Sequence, residues 1–305
     1  MKIYINSANE NWVVDRFIQE WKKYSGTEVT SFQKRADLLW LIAPWAWHKV
    51  SKKYLKEKFV LCTIHHIDED KFDDNDLNEF KERDFFVDQY HVISKKTYNQ
   101  IKDITNKPIN VIPFWVNQKI WFDINDKESL RSKYSFEKDS FLVGSFQRDT
   151  EGKDMISPKL SKGPDRFVNI VKKLNLEVEN LEVVITGKRR NYIINELTDA
   201  NIKFKYYEMI NFKALNELYN ILNLYIVSSR YEGGPQSILE CGISKTPIIS
   251  TDVGIASEIL HPTSIFSSEN INNVSPNVEF AYKNAIKYKI PHGIKNFKNL
   301  FESFK

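Results

Sequence analysis

Residues 224–260 read LYIVSSRYEGGPQSILECGISKTPIISTDVGIASEIL, and this stretch decides the fold. Four apolar, partly β-branched residues end in a polar loop carrying Glu232, Gly233 and Gly234. Pro235 suits the first turn of a helix, which the spacing predicts over 236–243. Glu240 falls one turn after Gln236 on the same helical face. Two glycines at a helix start let a ligand approach the backbone, and the unpaired first-turn amides with the helix dipole favour an anion such as phosphate. A carboxylate in the loop and another one turn into the helix suit sugar or ribose hydroxyls. A second strand follows at 247–250, and its loop Thr251-Asp252-Val253-Gly254 belongs to the same sheet edge.

The same rhythm runs outward in both directions. Strands are predicted over 2–7, 28–32, 37–43, 59–64, 89–93 and 110–112, then over 141–144, 182–186 and 204–206. Several are apolar throughout, as strands covered on both faces are. Helical periodicity marks 11–24, where Val13, Val14, Phe17, Ile18 and Trp21 share a face, and later 165–174, 191–198, 212–222, 278–289 and 294–304. Alternating strand and helix predicts an α/β fold with doubly wound parallel sheets. A length of 305 residues suits about two domains, and the aperiodic segment 113–126 is the expected boundary. The expected division is 1–117, 118–290 and a terminal helix over 291–305 that returns to the first domain. In such sheets ligands sit at the carboxyl ends of strands, here expected in a cleft between the halves.

Composition excludes several classes. Hydrophobic residues make up 42% and charged residues 28%, ordinary for a globular protein and unlike a disordered or collagenous chain. A net charge of +4 is too mild to argue for nucleic acid. No apolar run reaches the roughly 20 residues of a membrane span, and the first residues do not read as a secretory signal. The two cysteines, Cys62 and Cys241, lie in apolar segments and read as core thiols in a reducing cytosol. No dinucleotide fingerprint or phosphate loop occurs, and no metal-ligand spacing supports zinc. The acidic stretch DEDKFDDND (68–76) lacks the glycine of a calcium loop and reads as a solvated acidic loop. Lys188-Arg189-Arg190 reads as a basic loop.

The spacing Glu232-x7-Glu240 within YEGGPQSILE resembles the paired-glutamate motif of retaining GT-B glycosyltransferases, the large family four (glycosyl transferases group 1). TPIISTDVGIASEIL (246–260) resembles that family's PVIATDVGGIPEIV segment. FLVGSFQRDTEG (141–152) and KGPDRFVNIVKKL (162–174) resemble its split phosphate-binding region, with a longer intervening loop than usual. The resemblance covers roughly residues 138–265. It weakens in the first half. CTIHH (62–66) resembles a strand end where a family histidine borders the sugar site, which maps best to His65, with His66 in place of an aspartate. VIPFWVN (111–117) stands where the family has VIPNGVD, and NSANE (6–10) replaces its glycine-rich loop.

The resemblance implies a GT-B fold and transfer of a sugar from a nucleoside-diphosphate sugar to an acceptor hydroxyl with retained configuration, in surface glycan or glycolipid synthesis. It implies Arg148 and Lys162 on the donor diphosphate, Glu240 on the ribose and Glu232 on the donor sugar. The amides of Gly233, Gly234, Gln236 and Ser237, beside Pro235, supply dipoles. It implies no cofactor and no metal. The rival functions are a nucleotide-sugar epimerase of the same fold and a non-catalytic nucleotide-sugar-binding relative. Expected partners are the donor and a glycan or lipid-linked acceptor, without nucleic acid, in the cytoplasm. LWLIAPWAWHKVSKKYLKEK (39–58) combines tryptophans with lysines, as a peripheral contact with the anionic inner membrane face would. The favoured alternative makes Trp40 core and the lysines the solvated face of a helix. Stacking of Trp45, Trp47 and Trp115 on acceptor sugar rings is a third reading.

Overall fold

The computed structural model describes residues 1–10, 13–267 and 271–304. Its strands and α-helices run β1 (Lys2–Ile5), α1 (Val13–Tyr24), β2 (Glu28–Val29), β3 (Leu38–Leu41), α2 (Lys52–Glu57), β4 (Phe59–Ile64), α3 (Asp74–Asp84), β5 (Gln89–Val92), α4 (Lys95–Ile101) and β6 (Ile109–Val111). They continue with α5 (Lys127–Lys133), β7 (Phe141–Ser145), α6 (Pro164–Glu177), β8 (Leu181–Thr186), α7 (Asn191–Asp199), β9 (Phe204–Tyr207), α8 (Phe212–Ile221) and β10 (Leu224–Val227). The last are α9 (Gln236–Ser244), β11 (Ile248–Thr251), α10 (Ala256–Ile259), β12 (Ile265–Phe266), α11 (Val278–Ala285) and α12 (His292–Glu302). The chain divides into two compact units, Met1–Trp115 with Tyr288–Lys305, and Val116–Lys287.

Each unit holds one six-stranded sheet, ordered β2-β1-β3-β4-β5-β6 in the first and β12-β11-β10-β7-β8-β9 in the second. All the described pairings between these strands are parallel. Inner strands such as β3 (LLWL), β10 (LYIV) and β11 (IIST) are buried along their whole length, as strands under two helical layers must be. Both cysteines are buried free thiols.

In the first unit an aromatic core ties α12 to the sheet. Phe297 and Phe301 pack on Trp21 and Trp40, and Phe297 also stacks on Phe114 at 5.3 Å. Trp115 donates its indole N–H to the buried Glu20 at 2.8 Å. The Phe-Trp pair that departs from the family pattern is therefore core, and Trp115 and Trp47, both buried, cannot stack on a sugar. Trp45 alone of the three is exposed. Trp40 is core and the α2 residues Lys52, Lys53 and Lys56 face solvent, as the favoured alternative has it.

Other expectations shift. The acidic stretch is half helix: Asp73 caps α3, accepting from the amides of Asn75 and Asp76, while Asp76 accepts from the Asp73 amide. That reciprocal cap is what the Asp73 and Asp76 carboxylates, three residues apart, achieve at a helix N-terminus. The short helices α4, α5 and α10, and the strand β12, are additions to the predicted elements. The helix expected over 278–289 ends at Ala285 and continues as a 3₁₀ turn. Asn11 and Trp12 of the first predicted helix lie outside the described residues.

Beneath the aromatic core runs a buried polar chain. Trp40 donates to Thr63 Oγ1 (2.9 Å), Thr63 meets His91 Nδ1 (3.0 Å), and His91 Nε2 meets the Ile112 carbonyl (2.7 Å). Every group is satisfied only if His91 is neutral with its proton on Nε2. Burial accordingly pushes the His91 pKa down to about 3. A base with a depressed folded pKa takes up a proton on unfolding between that value and its ordinary 6.5. Its contribution is therefore full above pH 6.5 and lost as pH falls toward 3, amounting to ~3 kcal/mol by pH 4. Six of the seven tryptophans belong to this unit, so tryptophan fluorescence reports its unfolding. The urea midpoint should fall more steeply between pH 6.5 and 4 in the wild type than in His91→Gln; equal slopes would contradict the neutral buried imidazole.

Candidate functional site

The strand order of the second unit reverses between β7 and β10. Their following connections diverge, one toward α6 and one toward α9, which makes the carboxyl ends of the two strands the switch point, where such sheets form a ligand crevice. Gln147 and Arg148 follow β7, and Ser228–Pro235 follow β10. A 3₁₀ turn, Leu160–Lys162, lies between them.

These pieces interlock by hydrogen bonds. Gln147 Nε2 donates to the Lys162 carbonyl at 2.8 Å, and the Arg230 amide donates to the Ser161 carbonyl at 2.8 Å. Gly163 has φ +62°, and a Cβ there would lie 1.9 Å from the Ser228 carbonyl oxygen, so only glycine lets the turn rest on the β10 loop. Arg230 grips Asp165 in α6 through two bonds of 2.8 and 2.7 Å, and those bonds hold the Asp165 carboxyl below the usual carboxylate range. Thr251 Oγ1, at the end of β11, donates to the Ser229 carbonyl at 2.6 Å.

The predicted residues fall as follows. Lys162 Nζ and Glu232 Oε1 form an ion pair of 2.6 Å, with both side chains largely buried. Ser229 Oγ lies 3.2 Å from both Glu232 Oε1 and Gln147 Oε1, so the carboxylate is oriented from a second side. Arg148 leaves the same β7 end, its Nε donating to the Thr150 carbonyl at 2.7 Å. Pro235 caps α9, and Gln236 and Ser237 occupy its first turn, whose amides point out of the helix end. Glu240 is buried one turn further on and accepts from the Tyr219 hydroxyl at 3.0 Å. Gly233 is buried, and Gly254 of the β11 loop packs against it so closely that a Cβ on Gly254 would lie 2.4 Å from its carbonyl.

His65 belongs to the first unit, one residue past β4. Its Nε2 meets the Ile42 carbonyl at 2.8 Å, and its ring stands 5.7 Å from the exposed Trp45. The unit's own order reversal, between β1 and β3, lies at the same sheet edge. There the Asn6 side chain pairs with both the amide and the carbonyl of Ala43.

Two important residues escaped the sequence reading. Arg190, at the end of the basic loop, is wholly buried: it donates to Asp149 (2.9 Å) and to the carbonyls of Ser145 and Thr186 (2.7 Å each). It thereby braces the ends of β7 and β8 under Arg148. Removing one partner of such a buried pair costs about 3–5 kcal/mol. Burial raises the Asp149 carboxyl, opposed by the Arg190 charge beside it. Lys159 is the other. Burial, then the charges of Lys162 and Arg148, lower its ammonium below the ordinary lysine range, while Glu151 and Glu232 oppose them. A lysine following a hairpin carries no sequence signal of its own.

Residues 156–291 match the family described as Glycosyl transferases group 1. Curated protein sequences give no match. Similar solved structures include HepE of Anabaena in complex with UDP-glucose, at 11% identity and a TM-score of 0.77 over 99% of each chain. A sucrose-phosphate synthase from Thermosynechococcus elongatus has 15% identity and a TM-score of 0.71 over 95% of this chain and 77% of that one. A glycosyltransferase from Rickettsia africae has 13% identity and a TM-score of 0.70 over 99% and 97%. The two parallel six-stranded sheets are those of the GT-B fold. Among the described residues no helix is long and apolar enough to cross a membrane.

The backbone contact under Lys162 is testable. Gly187 also has positive φ, but a Cβ there meets nothing closer than 3.7 Å. Gly187→Ala should cost about 1–2 kcal/mol of backbone strain, and Gly163→Ala distinctly more. Equal losses in denaturant unfolding would contradict the contact.

Proposed function

We propose that this protein is a retaining glycosyltransferase that moves a sugar from a nucleoside-diphosphate sugar to an acceptor hydroxyl. The observation that carries this reading is the Lys162–Glu232 pair at the β7/β10 reversal, within the family-matched segment and in the loop that leads to the N-terminus of α9. A nucleoside diphosphate leaves with growing negative charge when the bond from the anomeric carbon to the phosphate oxygen breaks. Cations and helix-end amides already oriented toward that charge lower the barrier without reorganising. Arg148 and Lys162 supply the charge, and the first turn of α9 supplies the dipoles.

Glu232 is held by Lys162 and Ser229, which supports assigning it to orienting the donor sugar rather than to nucleophilic attack. In the proposed course the acceptor oxygen attacks the face from which the diphosphate departs, and the leaving phosphate oxygen takes the acceptor proton. Glu240 is assigned to the ribose and His65 to the sugar side. With protein cations serving the diphosphate, turnover should need no divalent metal. The acceptor is proposed to be a glycan or lipid-linked sugar. UDP-glucose, bound by the HepE structure, is the first donor to test.

Two outcomes are expected. Because Glu232 engages Lys162 in the free protein, Glu232→Gln should bind the nucleoside diphosphate as tightly as wild type or tighter, while transfer falls at least tenfold. Calorimetry with UDP, GDP and ADP beside a transfer assay checks this, and a variant that loses nucleotide binding but keeps transfer would contradict the assignment. Turnover should also survive EDTA; abolition by EDTA with rescue by magnesium would overturn the metal-free scheme. Incubation with donor alone separates transfer from epimerisation.

A further inference from the structure

The loop between Arg148 and Lys162 is long, and its length has a shape. Thr150 and Pro158 form an antiparallel bridge, and the Glu151 amide donates to the Ser157 carbonyl at 3.0 Å, so residues 150–158 fold as a hairpin. The loop after β8 holds it down: Arg189 donates to the Gly152 carbonyl at 2.6 Å and Asn191 to the Met155 carbonyl at 2.8 Å. The returning arm closes where the Lys159 amide donates to the Asp149 carbonyl at 2.7 Å. Asp149 is itself fixed by buried Arg190. The Lys162 amide then donates to the Lys159 carbonyl at 2.8 Å. Lys159 is thus set between two braced points, half-buried, at the start of the turn that carries Lys162.

We infer that Lys159 is a third cation of the donor site, placed there by the 150–158 hairpin to hold the diphosphate together with Arg148 and Lys162. The inference rests on the nucleotide-sugar reading and adds to it a binding residue and a reason for the long loop. Lys162 already has Glu232 at 2.6 Å, so part of its charge is neutralised before any ligand arrives. Among the described residues, neither Lys159 nor Arg148 has a carboxylate oxygen within 4.0 Å. Burial first, and then the charges of Lys162 and Arg148, hold the Lys159 ammonium low, with Glu151 and Glu232 only opposing them. A bound anion of two or more charges would relieve the repulsion among these cations, and a singly charged or neutral ligand would relieve it less. A lysine held half-buried where a hairpin tied down by Arg189 and Asn191 rejoins the turn of Lys162 is costly as a mere solvated side chain and reasonable as part of an anion site.

The test compares wild type, Lys159→Met and Lys159→Arg by calorimetry with UDP, GDP and ADP, and with the monophosphate of whichever diphosphate binds, at two salt concentrations. For the wild type the diphosphate should outbind the monophosphate. In Lys159→Met that preference should shrink about tenfold or more, the order of one charge-assisted contact. Its salt dependence should flatten while monophosphate affinity and melting temperature hold. Lys159→Arg should keep most of the preference. A full preference in Lys159→Met, or equal losses for both nucleotides, would overturn the role of Lys159 while leaving the donor site standing. No binding of any nucleotide by the wild type would instead overturn the nucleotide-sugar reading, and this inference with it.

Discussion

Between β7 and β10 two parallel neighbours send their chains in opposite directions, and nearly everything at the candidate site depends on that divergence. Parallel strands force crossover connections, and where the winding reverses no connection covers the strand ends. Backbone groups and side chains from distant sequence positions then converge. Gln147 and Lys162 come from one side, and Ser229 and Glu232 from the other. Each is fixed by a partner on the opposite loop, so the geometry is present before a ligand binds. Preorganisation of this kind is what electrostatic catalysis requires.

The bracing around the switch point is mostly polar. Arg190 with Asp149 and Arg230 with Asp165 anchor the two loops, and Gly163 lets their backbones touch. Buried charges are expensive, and a buried pair contributes little net stability compared with apolar packing. Here the pairs fix loop direction, which an apolar contact would specify less sharply. The first unit uses the opposite strategy. Its aromatic core of Trp21, Trp40, Phe114, Trp115 and Phe297 fastens the terminal helix by packing, with Glu20 and His91 as satisfied polar exceptions.

The alternation of apolar runs and helical faces was enough to read the two parallel sheets, because buried parallel strands are apolar throughout and announce themselves. Glu232, Lys162 and Arg148 were expected from the resemblance, and the pairing of the first two needed the fold. Lys188-Arg189-Arg190 is a loop, as expected, but the burial of Arg190 was not legible because it follows from partners 41 and 45 positions away. Lys159 was overlooked for a related reason: its place is set by a hairpin whose only regular pairing is one bridge. The short helices α4, α5 and α10 carry too few turns to show a period, and the acidic stretch hid a helix start because its carboxylates serve as caps. The Phe114-Trp115 substitution in the linker pattern became intelligible only as core packing.

In the proposed function the donor diphosphate sits at the β7/β10 reversal of the second unit. A crystal structure of the protein with UDP, or with whichever of UDP, GDP and ADP binds, tests it most directly. Diphosphate oxygens are expected within hydrogen-bonding distance of Lys162 Nζ and of first-turn amides of α9, with the ribose near Glu240. A nucleotide bound elsewhere, with the Lys162–Glu232 pair untouched and no phosphate near α9, would contradict it.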